Sequence, residues 1–147
     1  MNTQNKKSHY MKWLDPGQMH RASVQWMSEL KFTRDEQLFL NDLVKEYTLP
    51  LTDSEIFGES QDIIGAILSA EKEVVLLLKK VQAHENKLQV MLDNVDQLQQ
   101  EKAYIASHWK IQSEINDYLT GYRTVKAKLF KLVSMVMKKD KNKYLLH

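Results

Sequence analysis

Two histidines, His84 and His108, are the side chains whose type and spacing best suit chemistry, provided that the chain folds back between them. A fold at the Asp-Asn-Val-Asp segment places His84 within about one helical turn of His108. Packing of the first helix then brings Glu29 and His20 to the same level, while Glu85 follows His84 directly. Imidazole and carboxylate groups suit Zn, Fe and Mn. The sequence therefore presents a candidate metal- or small-ligand-binding site within a helical bundle.

The simpler interpretation of these histidines is structural. A histidine on the apolar face of a helix is usually a core side chain with a hydrogen-bonded ring. The role of His108 in this interpretation is only to shield the neighbouring Trp109 from solvent. The step that places two di-iron ligands on one helical face, E-x-x-H, is missing, because Gly17, Val81 and Ile105 lie three residues before the central histidines. On this basis we predict no cofactor.

Signatures of enzymes are also missing from the sequence. No glycine pair has the spacing of a phosphate-binding loop, and neither G-x-S-x-G nor H-E-x-x-H occurs. His84-Glu85 begins the second motif, but Leu88 takes the place of its second histidine. The chain has no cysteine, which excludes disulfides and thiolate chemistry. We therefore predict a protein that is not an enzyme.

The C-terminal third of the chain is basic. Residues 101–147 contain ten basic and four acidic residues, whereas residues 51–100 contain four basic and nine acidic ones. A third hypothesis is thus electrostatic binding of nucleic acid or an anionic membrane surface. Its candidate residues are Lys126, Lys128, Lys131, Lys138 and Lys139. Lysine predominates over arginine, however, so this pattern favours a solvated face beside the acidic second helix over a nucleic-acid site.

Four glycines, two prolines and no convincing apolar–polar alternation predict an all-α protein. We expect three long helices, at residues 18–48, 60–93 and 97–139, in an antiparallel up-down-up bundle. Pro50 ends the first helix, and Ser60 is the expected cap of the second. Residues 1–17 end in the turn signature Asp15-Pro16-Gly17 and form a loose arm, so that 18–147 make one helical-bundle domain.

The segment between the second and third helices admits an alternative. Heptads written from Ile67 keep their phase through it, which favours one continuous helix over 60–119 in an extended coiled-coil dimer. Against this, Asp93, Asn94 and Asp96 are poor residues for a helix interior. A fold at this point also places Lys79 and Lys80 near Glu114. We favour the fold-back over the continuous helix.

The first helix is apolar on more than one side. Trp26, Phe32 and Leu40 lie off its main stripe, so this helix is either enclosed by the bundle or presents a second face to another protomer. The stripe itself is predicted to consist of Val24, Met27, Leu30, Leu38, Phe39, Leu43, Val44 and Tyr47.

The leading functional hypothesis follows from helical patterning without catalytic motifs. We expect a helical bundle that acts through protein–protein contacts, as a scaffold or adaptor that self-associates. No apolar run approaches the roughly 20 residues of a membrane span, and no apolar region follows the N-terminal lysines. A cytoplasmic protein is therefore the expectation.

Overall fold

The computed structural model describes residues 15–47, 57–93 and 98–145, and it consists of three helices: α1 (Pro16–Glu46), α2 (Phe57–Asp93) and α3 (Leu98–Leu145). The described residues contain no strand. The prediction of an all-α, three-helix protein is thus confirmed. None of the described helices has the continuous apolar stretch that a membrane span requires.

Helix α1 begins two residues earlier than predicted because Asp15 caps it. The backbone N–H of Gln18 donates to Asp15 Oδ1 at 2.8 Å, and Pro16 occupies the first helical position, which proline favours. Asp15-Pro16-Gly17 is thus a helix start and not only a turn. The rest of the predicted arm, residues 1–14, and the predicted end at Thr48 lie outside the described residues.

The other two helices are longer than predicted. Helix α2 begins at Phe57, with Glu59 in its first turn, so Ser60 lies within the helix and is not its cap. Helix α3 extends past Lys139 to Leu145. The predicted turn, residues 94–96, and the predicted first residue of the third helix, Gln97, lie outside the described residues.

Two contacts decide between the fold-back and the continuous helix. Lys80 Nζ donates to Glu114 Oε2 at 2.9 Å, and His84 Nε2 lies 3.3 Å from His108 Nδ1. A straight helix would hold these two histidines about 36 Å apart, at 1.5 Å per residue. The structure therefore does not follow the alternative of one helix over 60–119.

The chain divides into two compact units, each of which takes a part of every helix. Unit 1 contains the described residues up to Lys31 together with Leu76–Asn116. Its core includes a cluster of Met19, Leu88, Tyr104 and Ile105, against which Met91 packs. Unit 2 contains Phe32–Val75 and the chain from Asp117 onward, within the described ranges. Its buried apolar residues are Leu40, Ile63, Ile67, Val74, Tyr118, Leu119, Tyr122, Leu129, Leu132, Val133 and Val136.

The predicted heptad frame holds in α2 and fails in α3. In α2 the buried residues include Ile67, Val74, Val81 and Leu88 at the predicted a positions. In α3 the predicted a positions Lys102 and Trp109 are exposed. The buried residues there begin Tyr104, Ile105, His108, Ile111 and Ile115, mostly at steps of three and four. Each helix thus has its own frame, set by the neighbours against which it packs.

The predicted stripe of α1 is wrong. Of its eight residues only Leu30 is buried, while Val24, Leu38 and Phe39 are exposed. The residues that face the core are Met19, Ser23, Trp26, Leu30, Thr33, Gln37 and Leu40. They recur at alternating steps of four and three, so the periodicity is helical, but three of the seven are polar. Counting apolar residues alone therefore selected the wrong face.

Candidate functional site

Unit 1 contains a pair of buried histidines in direct contact. His84 and His108 are 2% and 4% exposed, and the 3.3 Å between His84 Nε2 and His108 Nδ1 is hydrogen-bond distance. The His84 ring is stacked on Tyr104 with centroids 4.0 Å apart, and the His108 ring lies 4.7 Å from Trp26. Tyr104 and His108 reach this place because they are four residues apart on α3 and so share a face.

Burial keeps both imidazoles neutral near pH 7. The pKa of His84 is lowered to about 4, mainly by loss of hydration and also by the neighbouring His108 and Lys87, while Glu85 acts in the opposite direction. Burial also lowers the pKa of His108. The phenol of Tyr104 has its pKa raised by burial and by Glu85, while the nearby Ser23 hydroxyl acts in the opposite direction. The pair is thus a neutral hydrogen-bonded unit within an aromatic environment.

The other candidate ligands from the sequence lie around this pair without joining it. His20 Nδ1 contacts Glu85 Oε1, which also accepts a hydrogen bond from Gln89 Nε2 at 3.2 Å. Glu29 lines a groove of about 410 Å³ between α1 and α3, where His108 is also a wall residue. The structure thus forms the pairs His84–His108 and His20–Glu85.

These pairs do not make a complete set of metal ligands. Over residues 15–47, 57–93 and 98–145, no three His, Asp or Glu side chains converge so as to hold a metal ion. Two imidazoles alone leave two of the four positions of a tetrahedral ion to other ligands. Binding of Zn, Fe or Mn stays a prediction.

Sequence reasoning did not select Ser23 and Tyr104, which belong to the same cluster. Ser23 is 2% exposed and lies on the core face of α1. His84 Nδ1 and Glu85 Oε2 are buried and have no hydrogen-bond partner among the described residues. The buried hydroxyls of Ser23 and Tyr104 lie close enough to interact with each other. We call these four residues the polar cluster. The signal that identifies Ser23 is its place in the steps from Met19 to Leu40, a pattern that apolar residues alone do not reveal.

Unit 2 contains its own polar contacts. Gln37 Nε2 donates to Tyr118 OH at 2.9 Å, and that hydroxyl donates to the carbonyl of Ala70 at 2.7 Å. Burial raises the pKa of Tyr118 to about 12, so the phenol remains a donor. These contacts join α1, α2 and α3 inside the unit.

A second set of polar contacts joins α1 to α3 at the edge of unit 2. Glu36 Oε1 accepts from Tyr122 OH at 2.6 Å and from Lys126 Nζ at 2.9 Å. Partial burial pushes the pKa of Glu36 upward, but these two donors outweigh it and lower the pKa. Tyr122 and Lys126 thus hold the Glu36 carboxylate in its charged form.

Large apolar side chains of unit 2 lie exposed on either side of the Glu36 contact. Phe32 and Phe39, four residues before and three after Glu36, are 67% and 58% exposed. Phe130 and Met137 are 41% and 52% exposed, and Phe130 follows Lys126 by four residues. Residues three, four or seven apart share a helical face. Each of the two helices therefore carries an exposed apolar pair with a spacing of seven.

Each apolar pair has a charged pair of the same spacing beside it. On α1 these are the exposed Asp35 and Asp42, and on α3 they are the exposed Lys131 and Lys138. We call Phe32, Asp35, Phe39 and Asp42 the acidic seam. Phe130, Lys131, Met137 and Lys138 are the basic seam.

The lysines proposed from the sequence as an anion-binding set do not share one environment. Lys126 is half-buried, bound to Glu36, and lies 5.4 Å from the centre of the Tyr122 ring. Lys128, Lys131, Lys138 and Lys139 are exposed. Binding of nucleic acid or an anionic membrane surface stays a prediction.

Comparison of the chain with protein-family models, with curated proteins and with solved structures gives no match.

Proposed function

We propose that this protein acts through protein–protein contact, by self-association of two copies through the acidic and basic seams of unit 2. The observation that carries the proposal is an inversion in α1. Between residues 32 and 40 the core positions hold Thr33, Gln37 and Leu40, whereas Phe32, Leu38 and Phe39 are more than half exposed. Burial of these two phenylalanines against a partner removes their apolar surface from water and so gives a favourable free energy of association.

Charge favours a second copy of this chain as the partner. The apolar residues of the acidic seam are accompanied by carboxylates, and those of the basic seam by ammonium groups, both at heptad spacing. The acidic seam of one copy therefore complements the basic seam of another. In a two-fold symmetric pair this contact occurs twice, which makes the interface self-complementary.

This proposal includes the predictions that the chain is a scaffold or adaptor and not an enzyme. A symmetric dimer presents two copies of each surface that lies outside the interface, so it is able to hold two partner molecules, as a scaffold does. The absence of catalytic sequence motifs supports the non-enzymatic interpretation.

Sedimentation equilibrium over a range of protein concentrations tests the proposal. The wild-type chain should dimerise, and Phe32→Ser with Phe39→Ser should weaken the dimer by roughly 100-fold or more, because two aromatic side chains leave each of its two contacts. The matched control is Leu76→Ser with Val90→Ser, which removes two apolar side chains of unit 1 that are each 58% exposed. The control should dimerise like the wild type. A wild-type chain that stays monomeric at high concentration would contradict self-association.

A further inference from the structure

His84 and His108 present two metal-binding nitrogens at one point of unit 1. Nε2 of His84 and Nδ1 of His108 face each other at 3.3 Å, and both residues are buried. Burial lowers the pKa of both imidazoles, so both are neutral near pH 7. A neutral imidazole binds a metal ion through the ring nitrogen that carries no hydrogen. The pair thus offers an ion two nitrogens from two different helices, without competition from protons.

One hydrogen has to move before both facing nitrogens are ligands. In the hydrogen-bonded pair one of them carries the shared hydrogen, and in a metal-bound pair that hydrogen lies on the other nitrogen of the same ring. For His84 the other nitrogen is Nδ1, a buried atom of the polar cluster with no hydrogen-bond partner among the described residues. The move therefore breaks only the hydrogen bond within the pair, and metal binding releases no proton near pH 7.

A buried thioether lies in the surroundings of both histidines. Met19 belongs to the same core cluster as Tyr104, on which the His84 ring is stacked. Met19 also lines the groove between α1 and α3 together with His108. Thioethers select Cu(I), and imidazoles bind copper as well. The side chains around the pair therefore favour copper over the harder ions.

The environment of the pair favours an ion of low charge. The Trp26 ring lies 4.7 Å from that of His108, and the Tyr104 ring lies 4.0 Å from that of His84. Over residues 15–47, 57–93 and 98–145, no third His, Asp or Glu side chain joins the pair to hold a metal ion. The cost of moving an ion from water into such a site rises steeply with its charge, while aromatic faces attract a cation. A monovalent ion therefore suits the pair better than Zn²⁺ does.

We propose that His84 Nε2, His108 Nδ1 and the Met19 thioether bind one Cu(I) ion. Cu(I) accepts two or three ligands, so this set is complete without a carboxylate. His108 and Met19 line the open α1–α3 groove of about 410 Å³, which gives the ion a route to its ligands. The site lies wholly in unit 1 and does not depend on the seams of unit 2.

An anaerobic competition titration of the full chain with the coloured Cu(I)–bicinchoninate complex tests the proposal. The wild type should remove one Cu(I) per chain from the complex. Zn²⁺, titrated against a zinc-binding dye, should bind roughly 100-fold or more weakly, because two nitrogens and a thioether leave it without a full set of ligands. No transfer of Cu(I), or binding of Zn²⁺ as tight as that of Cu(I), would overturn the proposal.

Ag(I) identifies the ligand atoms without a change of sequence. It has the charge and the filled d shell of Cu(I), and its nuclear spin splits the ¹⁵N signal of any nitrogen that binds it. In the ¹⁵N-labelled chain this splitting is expected at His84 Nε2 and His108 Nδ1. Splitting at His20 instead, or at neither member of the pair, would overturn the assignment.

Three variants measure what each ligand contributes. His84→Phe and His108→Phe should each weaken Cu(I) binding by roughly 100-fold or more, because residues that only support a metal ligand already change affinity by about 10–100-fold. Met19→Leu keeps the side-chain volume and should weaken binding by about tenfold. The matched controls are His20→Gln, at an exposed histidine, and Met27→Leu, at a methionine that lines a different groove, between α1 and α2.

Both controls should bind Cu(I) like the wild type. Circular dichroism checks that each variant folds, and Met19→Leu decides the question if a histidine variant does not. Unchanged Cu(I) binding by folded His84→Phe or by Met19→Leu would overturn the proposed ligand set.

Discussion

The buried histidine pair makes the stability of unit 1 depend on pH. In the folded chain the pKa of His84 is about 4, against an ordinary value of 6.5. Between these values the unfolded chain binds a proton that the folded chain does not, so stability falls as the pH falls. The contribution of His84 to stability is fully present above about pH 6.5. The loss from this residue down to pH 4 is on the order of 3 kcal/mol, at about 1.4 kcal/mol per pKa unit.

Urea unfolding between pH 4 and 8 measures this effect. His84→Phe keeps an aromatic ring against Tyr104 but removes the proton-binding nitrogen, so the fall in the free energy of unfolding should flatten between pH 6.5 and 4. The exposed Val90, changed to Ser, alters no titrating group, so this control should leave the wild-type slope in place. An unchanged slope in His84→Phe would show that the buried pair is not its source. Glu36, whose pKa is lowered, loses its contribution only at lower pH, from its ordinary value of 4.5 downward.

The contact between Gln37 and Tyr118 predicts a strongly non-additive pair of mutations. Tyr118→Phe leaves the buried Gln37 Nε2 without its acceptor and should cost about 1–3 kcal/mol. Gln37→Leu removes an amide whose own oxygen has no partner among the described residues, so it should change stability by about 1 kcal/mol or less. The double variant should cost less than the sum of the two, since no unmatched amide remains. Additive costs in a double-mutant cycle would show that the two groups are not coupled.

At the scale of helices, α2 was predictable and α1 was not. Six of the eight buried residues of α2 are apolar, so its sequence pattern selects the correct face. In α1 the core positions include Ser23, Thr33 and Gln37, and the partner of Gln37 lies 81 residues away on α3. The sequence pattern of one helix contains no information on such a partner. The exposed Phe32 and Phe39 have helical spacing, so they were easily mistaken for core residues.

Some residues of the candidate site were also predictable from the sequence, and others were not. The meeting of His84 and His108 followed from the fold-back and from the spacing of the two histidines. The role of Ser23 depended on which face of α1 packs in the core, and the apolar pattern predicted that face wrongly. Tyr104 was missed because the heptad frame placed Lys102 and Trp109 on the core face of α3, where both are exposed. The acidic and basic seams became visible only when burial showed which apolar residues face the core.

Two glycines within the helices give a direct measure of helix propensity. Gly121 in α3 and Gly65 in α2 are exposed, and a methyl group at either position would meet no atom within 4 Å. Each Gly→Ala change should therefore raise the free energy of unfolding by about 1 kcal/mol. Thermal and urea unfolding measure this free energy. Each variant is the control for the other, because both replace an exposed helical glycine and should stabilise the chain equally. A loss of stability in Gly121→Ala alone would indicate that α3 is bent or contacted at that residue.

At the scale of the whole molecule, complementary seams hold the proposed dimer together. The apolar pairs supply most of the attraction, because exposed ion pairs contribute only about 0–1 kcal/mol each. The charges decide which seam meets which, since like charges brought together at an interface are unfavourable. Reversing the charge of one seam should therefore weaken the dimer by repulsion.

The most direct test is a charge exchange followed by sedimentation velocity on mixtures. One variant carries Asp35→Lys and Asp42→Lys, and the other carries Lys131→Glu and Lys138→Glu. Alone, each brings like charges together at both contacts and should be mainly monomeric where the wild type is dimeric. When the two are mixed, one contact pairs reversed seams and the other pairs wild-type seams, so the mixture should form a heterodimer of wild-type affinity. Variants that dimerise alone as well as the wild type, or a mixture that stays monomeric, would contradict the account.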